Sequence, residues 1–345
     1  MRPPVTGAHP PGQPESGPLG VGPGTGGERR TLGQIGEFGL IDRLTARFAQ
    51  GPAVLLGPGD DAAVVAAPDA RVVVTIDVLV EGQHFRRDWS SATDVGHRAA
   101  AASLADIAAM GARPSAVVVG LGAPAELPVD WADGLADGLA AECAPLGVCV
   151  VGGDVVRAES VLVSVTALGD LEGRAPVTRA GAQVGDVVAV AGRLGWAAGG
   201  LALLRRGFRS GRGLVDAHRR PVVPYAEGPR AARLGAHAMC DVSDGLLADL
   251  AHVMRASGVS ADLDPSAFEV PTRMAEIAAS MGVDPMRWVL TGGDDHALVA
   301  CFPPEVDPGP SWRAVGRVLA ASPGGPEVLL DGVVASGAAG WDHFG

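Results

Sequence analysis

Residues Leu55–Phe85 read LLGPGDDAAVVAAPDARVVVTIDVLVEGQHF. A Gly-Pro-Gly turn and two adjacent carboxylates, Asp60 and Asp61, stand ahead of an apolar run. A turn at Pro68–Asp69 follows, then Val72–Val74, which continues into Thr75, Ile76 and Asp77, with His84 shortly after. Alternating valines between turn formers predict a hairpin, because strand side chains repeat with period two. Acids at strand mouths beside glycine turns suit hard cations. Mg²⁺ takes oxygen ligands and usually bridges one or two carboxylates to substrate phosphates. Asp beside Gly is also an ordinary turn former, so on this stretch alone both readings stand.

The chain has 345 residues, a length that suggests about two domains with real cores. Basic residues number 27 against 39 acidic ones, a net charge of −12, and no residue is lysine. An acidic chain without lysine lacks the basic patch of a nucleic-acid binder. It also lacks the lysine of a Walker A loop and that of Schiff-base chemistry. Cys143, Cys149, Cys240 and Cys301 show no C-x-x-C spacing and sit mostly in apolar runs. They read as buried thiols of a reducing cytoplasm, neither a disulfide frame nor a zinc site. No apolar run reaches the length of a membrane span, and no signal-peptide core is present near the start. Residues 1–30, rich in Pro, Gly, Ser and Thr, read as a disordered extension.

From Thr31 the pattern becomes periodic. Ile35, Phe38, Leu40, Ile41, Leu44 and Phe48 suit an amphipathic helix that stops at Gly51-Pro52. Thr93 or Asp94 is expected to cap an Ala-rich helix through Met110. Ala116–Leu121 reads as a strand, Trp131–Leu146 as a helix, and Val148–Val151 and Val161–Gly169 as strands. Leu171–Gly185, rich in Gly and Arg, is the expected boundary between a domain at 31–170 and one at 171–345. Beyond it the pattern predicts strand Val187–Ala191, helix Trp196–Arg206, a loop to Pro221 and a helix from Pro224 to Leu234. A strand then ends at Cys240, and Ser243 is expected to cap a helix to Ala256. Strands at Leu298–Cys301 and Ala314–Leu319 and a hairpin at Val328–Val334 complete an α/β chain with mixed sheets of the α+β kind.

Further carboxylates fall where chemistry is plausible. Asp106 lies in ASLADIAAMG on an otherwise apolar helix, where an unpaired acid is costly to bury. Asp154 follows the paired glycines of VVGGDVVR, Asp241 and Asp244 bracket Ser243 in CDVSDG, and Asp294 and Asp295 follow TGG. For Asp244 taken alone, helix capping is the favoured role. Carboxylates about 4 Å apart repel by roughly 4 kcal/mol at an effective dielectric near 20, so several converging acids require divalent cations. Glycine turns beside them allow close backbone approach and make anion nests. Acids for cations and nests for anions together describe phosphoryl transfer, which rests on positioning and charge neutralisation. Gly192-Arg-Leu-Gly195-Trp has the wrong spacing for a dinucleotide loop, and helix packing accounts for its glycines.

The ordered set GEFGLI, GPGDDAAV, the Thr75-x-Asp77 strand with EGQHF, LADIAAMGA, GGD before Arg157, TRAGAQVGD, DVSDGLLADL, TGGDD and the closing GWDHF resembles the thiamine-monophosphate kinase family. The resemblance runs from about Gly36 to Phe344. It implies two α/β domains of the aminoimidazole-ribonucleotide-synthetase type, with N-terminal strands forming a barrel across a homodimer and ATP in a cleft at that interface. It further implies that Asp61, Thr75, Asp77, Asp106, Asp154, Asp241 and Asp244 bind magnesium, with Ile76 contributing its backbone. Gly153, Asp154, Arg179 and Ser243 are the implied nucleotide contacts, and His84, Asp294 and Trp341 the implied contacts to thiamine monophosphate. Asp154, Asp244 and Arg179 are the implied catalytic set. Ser103, Asp294 and His296 replace the usual Asn, Glu and Tyr. Trp341 read without the resemblance is an ordinary C-terminal core anchor.

The expected reaction moves the terminal phosphoryl group of ATP directly to the acceptor's phosphate. A phosphomonoester has a second pKa near 6 and is an anionic nucleophile at neutral pH, so no dedicated base is required. Rival members of the superfamily fit less well. Selenophosphate synthetase needs a reactive Cys or selenocysteine with a Lys near the N-terminus, and the hydrogenase-maturation member ends in a functional Cys. Aminoimidazole-ribonucleotide synthetase fits the fold but lacks the closing GWDHF. A non-catalytic magnesium–nucleotide sensor is the rival of a different class, and Ser103, Asp294 and His296 are the features that favour it.

Overall fold

β-Branched runs and alanine-rich helices alternate along the chain, and the strands collect into two main sheets. The computed structural model describes residues 30–58, 62–210 and 213–335. The first part contains α1 (Leu32–Thr45), β1 (Val54–Leu56), β2 (Val64–Val65), β3 (Val73–Val80), α2 (Ala92–Ala109), β4 (Arg113–Ala123), α3 (Val129–Cys143), β5 (Cys149–Arg157) and β6 (Leu162–Asp170). Its four-stranded sheet has the order β3-β6-β4-β5, with β4 and β5 parallel and the other pairs antiparallel. The hairpin expected around Pro68–Asp69 does not form. β1 pairs with β2, whereas β3 pairs with β6. Local alternation identified the strand and not its partner.

α2 and α3 cover one face of this sheet, burying Leu104, Ile107, Leu135, Val163 and Val165. The two helices cross closely because Gly96 and Gly138 carry no side chain. A Cβ at Gly96 would lie 2.2 Å from the Leu135 carbonyl oxygen, and one at Gly138 would lie 2.1 Å from that of Thr93. The cap of α2 is Ser91, not Thr93 or Asp94 as expected. Its hydroxyl accepts the Asp94 amide while Asp94 accepts the Ser91 amide, a reciprocal box that satisfies two otherwise orphaned donors. α1 also departs from its predicted stripe. It kinks at Gly36 (φ 71°), and Phe38 is exposed.

The second part contains β7 (Val187–Ala191), α4 (Trp196–Arg205), α5 (Leu214–Arg219), α6 (Glu227–Leu234), β8 (Ala238–Val242), α7 (Leu246–Ser257), β9 (Val259–Leu263), α8 (Thr272–Ser280), α9 (Pro285–Thr291), β10 (Ala297–Phe302), β11 (Trp312–Ala320), β12 (Val328–Leu330) and β13 (Val333–Val334). The sheet order is β13-β12-β9-β11-β7-β10-β8. Strands β8 and β10 are buried along their whole length, with separate apolar clusters built from alternate residues. β10 reads as a continuous apolar run and β8 is broken only by Asp241, as expected when both faces are covered. α5 occupies the segment expected to be a loop; it is a single short helix inside a Gly/Arg-rich stretch, too brief for periodicity to reveal. α7 starts at Leu246, after Gly245 (φ 116°). Ser243 is therefore not its cap, and Asp249 instead accepts the amides of Asp244 and Gly245.

The two parts pack tightly against each other. A Cβ at Gly228 of α6 would lie 1.9 Å from the Ala108 carbonyl oxygen of α2, and the Tyr225 hydroxyl donates to Glu142 at 2.6 Å. Among the described residues no helix is long and apolar enough to cross a membrane.

Candidate active site

Where α2, β3 and β8 meet, the structure gathers acids from distant parts of the sequence. The odd-numbered residues of β3 face α2, so Thr75 and Asp77 point toward the helix. The Thr75 hydroxyl donates to Asp106 at 2.7 Å. Ser103, fully buried one turn earlier on α2, places its hydroxyl 2.9 Å from both Asp77 and the Val165 carbonyl oxygen. Burial pushes the Asp106 carboxyl up to about 6, and the charges of Asp241 and Asp77 push the same way, against the Thr75 hydrogen bond. Asp241, on β8, is buried and sits 3.0 Å from His296 Nδ1. Burial opposes a charge on the His296 ring, but Asp241 holds it above the ordinary imidazole value.

The segment 294–296 is held at three consecutive residues by three different elements. Asp294 pairs with Arg98 of α2 at 2.8 Å. Asp295 accepts the amides of Gly195 and Ala197, the latter at 2.8 Å, at the start of α4. His296 pairs with Asp241 of β8. Asp294 (φ 66°) and His296 (φ 50°) are left-handed, a conformation that costs of order 1 kcal/mol or more per non-glycine residue and persists where surroundings over-determine it. Burial lifts Asp295 to about 7 against the pull of its two amides. Asp249 is similarly lifted to about 7 by burial and by Asp241.

Other expected site residues are spread around this junction. Arg179 is exposed and Asp244 half-buried; both act electrostatically on His252 of α7, Asp244 from ahead of the helix start and Arg179 from a backbone whose carbonyl oxygen accepts the Ser257 hydroxyl at the helix's far end. The Ser243 carbonyl oxygen accepts the Asp294 amide at 2.8 Å. His84 Nδ1 accepts the Val80 amide at 3.0 Å. Asp154 is different. Sheet registers align Asp77, Val165, Val119 and Gly153 in one row and Val78, Ser164, Gly120 and Asp154 in the next. Asp154 therefore lies across the whole sheet from Asp77, on the opposite face, and exposed. Gly153 has a packing reason for being glycine, because a Cβ there would lie 2.1 Å from the Val119 carbonyl oxygen. Ile76 is exposed on the face away from α2. Asp60, Asp61 and Trp341 lie outside the described residues.

Among the described residues, no three His, Cys, Asp or Glu side chains already stand as a metal cage. The donor set nevertheless fits a hard cation. Burial first, and then the charges of Asp241 and Asp77, disfavour ionised Asp106, and a divalent ion held there would offset both.

The family model described as AIR synthase related protein, N-terminal domain, matches residues 59–171, and its C-terminal counterpart matches 183–307. The thiamine-monophosphate kinase of Mycobacterium tuberculosis is 52% identical over 319 residues, covering 92% of this chain and 94% of that protein. The chain belongs to the thiamine-monophosphate kinase family. Among solved structures, thiamine-monophosphate kinase from Stenotrophomonas maltophilia K279a superposes with a TM-score of 0.74 at 33% identity, covering 86% of this chain and 96% of that one. The AaThiL structure complexed with AMPPCP and TMP superposes with a TM-score of 0.75 at 30% identity, covering 93% and 100%. The two-part mixed α/β architecture is thus that of AIR synthase related proteins.

Ser103, His296 and Asp294, the residues that the resemblance marks as unusual, each make a defined contact. Ser103 still reaches Asp77 through its hydroxyl. His296 holds Asp241, and Asp294 is fixed by Arg98. Arg98, Asp249 and His218 were not singled out from sequence, and Asp295 was noted beside Asp294 without a role of its own. A buried arginine on an alanine helix was the signal available for the first, as Asp106 was for its own site.

Proposed function

We propose that this protein transfers the γ-phosphoryl group of ATP to the phosphate of thiamine monophosphate, giving thiamine diphosphate and ADP. The observation that carries this reading is the convergence of Thr75, Asp77, Asp106 and Asp241 at one junction, in a chain 52% identical to a thiamine-monophosphate kinase over almost its whole length. Asp61, Thr75, Asp77, Asp106, Asp154, Asp241 and Asp244, with the Ile76 backbone, would hold Mg²⁺. Bound there, the ion supplies charge neutralisation for the two polyanions that must approach each other. Thr75 and Ser103 orient the carboxylates of Asp106 and Asp77. Gly153, Asp154, Arg179 and Ser243 contact the nucleotide, and Arg179 stabilises phosphate charge through its planar fork. His84, Asp294 and Trp341 contact the acceptor. Asp154, Asp244 and Arg179 act nearest the transferring group.

We further propose domains at 31–170 and 171–345, an extension at 1–30, a cytoplasmic location and a homodimer with a shared barrel. The dimer draws support from the face of the four-stranded sheet that α2 and α3 leave uncovered. Val74 (60% exposed), Ile76 (62%), Val78, Val118 and Val156 stand in water there, a contiguous apolar surface of the kind that marks an interface. A second copy would also bring the opposite edge of its sheet, with Asp154, toward β3. The cytoplasmic reading rests on four buried, unpaired cysteines.

The test is ADP formation with ATP and Mg²⁺, with and without thiamine monophosphate, and with thiamine as a control acceptor. Turnover that depends on the monophosphate supports the kinase. Nucleotide binding without acceptor-dependent turnover would establish a sensor instead.

A further inference from the structure

Arg98 stands directly before four alanines on α2 and is 5% exposed. A buried guanidinium is costly unless its donors are used, and here they are spent across the boundary with the second part of the molecule. Nη2 donates to Asp294 Oδ1 at 2.8 Å. Nη1 lies 3.3 Å from the His218 carbonyl oxygen and 3.4 Å from its Nε2. Burial and the Arg98 charge drive the His218 ring down to about 3, so it stays neutral and serves as an acceptor. Nε2 as acceptor puts the ring hydrogen on Nδ1, a buried atom with no partner among the described residues. The arrangement thus leaves a polar group of His218 unsatisfied in order to seat the guanidinium.

Its effect falls on Asp294. Burial opposes the Asp294 charge, but Arg98 holds the carboxyl below its ordinary value, so the side chain is anionic. Oδ1 is occupied by Arg98, while Oδ2 has no protein hydrogen bond among the described residues, on a side chain 42% exposed. The backbone beneath it is left-handed and follows Gly293, where a Cβ would lie 2.4 Å from the Ser243 carbonyl oxygen. Asp294 therefore has one oxygen clamped and one presented outward from a backbone with little freedom to adjust.

We propose that Arg98 is a positioning residue for acceptor recognition: by gripping Oδ1 of Asp294 from α2 it aims Oδ2 at thiamine monophosphate and so sets KM for that substrate. The inference rests on the reading that Asp294 contacts the acceptor. The experiment is steady-state kinetics on the full chain for R98Q, R98K, D294N and the R98Q/D294N double variant, varying each substrate in turn. R98Q should raise KM for thiamine monophosphate by about tenfold or more, the worth of one charge-assisted hydrogen bond. KM for ATP should stay within about twofold, because only the acceptor side loses a contact. R98K, which keeps the charge and loses the fork, should recover part of the loss, and R98Q should add nothing in the D294N background. An unchanged acceptor KM in R98Q overturns the proposal, as does a loss shared equally by both substrates and kcat. If R98Q does not fold, R98K must still raise the acceptor KM selectively, and its failure to do so is equally decisive. If D294N itself leaves that KM unchanged, the assignment of Asp294 to the acceptor is what fails, and the role of Arg98 falls with it. If D294N raises it while the Arg98 variants do not, only the present inference is lost.

Discussion

At the scale of single residues, the site stores repulsion that a substrate complex can use. Asp106 is held up at about 6 from an ordinary 3.8 by burial and by Asp241 and Asp77. A carboxyl whose pKa is higher in the folded protein binds its proton more tightly there. Its favourable contribution is complete below about pH 4 and is lost as pH rises through about 6. Above that range the ionised group opposes folding. Asp106→Asn, which can still accept from Thr75, should therefore stabilise the protein at pH 7–8, free of metal and nucleotide, by on the order of 1–3 kcal/mol. The gain should vanish near pH 4, and turnover should fall at every pH. Thermal melts across pH, paired with ADP release, check this; an unaltered or lower melting temperature at pH 8 would mean the three acids are not coupled.

At the scale of elements, the site depends on how closely α2 can approach its neighbours. Gly96 and Gly138 let α2 and α3 cross with backbone against backbone, and α2 carries Arg98, Ser103 and Asp106 on the packed helix that results. Gly138→Ala should force the helices apart and destabilise the fold by about 1–3 kcal/mol, the usual effect of overpacking. Gly39→Ala on α1 is the matched control. Among the described residues its added Cβ would meet the Ile35 side chain alone, at an ordinary 3.7 Å, and alanine is the better helix former by about 1 kcal/mol. Chemical denaturation of both variants measures the contrast, and equal stability of the two would remove close helix approach from the account.

At the scale of the whole molecule, Asp77 and Asp154 sit on opposite edges and faces of a four-stranded sheet, three strand spacings or about 14 Å apart. One chain alone does not bring both to one ion. If a second copy lays its β5 edge beside β3, the two acids meet between protomers. Asp77→Asn and Asp154→Asn should then each be nearly inactive alone, while an equal mixture refolded together recovers activity in about a quarter of its sites, as random pairing across a two-fold interface requires. Recovery is read as ADP release after mixing. No recovery would place both acids in a site contained in one chain.

Local chemistry was legible in the letters. The strand VVTIDVLV, helices closed by glycines at Gly111 and Gly147, and the strand Val187–Ala191 follow from period and punctuation, which depend on neighbours in sequence. The acids that carry the chemistry stood out because they interrupt apolar runs or follow glycine turns, and their order along the chain matched one family. Partner choice was not legible. Nothing near Val73 says that it pairs with Gly169 and leaves β2 unpaired with it, and nothing near Asp294 names Arg98, almost two hundred positions earlier. Sequence by itself determined which residues are chemically equipped, because composition and local spacing reside in the chain. Only the tertiary structure decided which of them meet, because strand pairing, burial and the pKa shifts that follow come from groups brought together through folding.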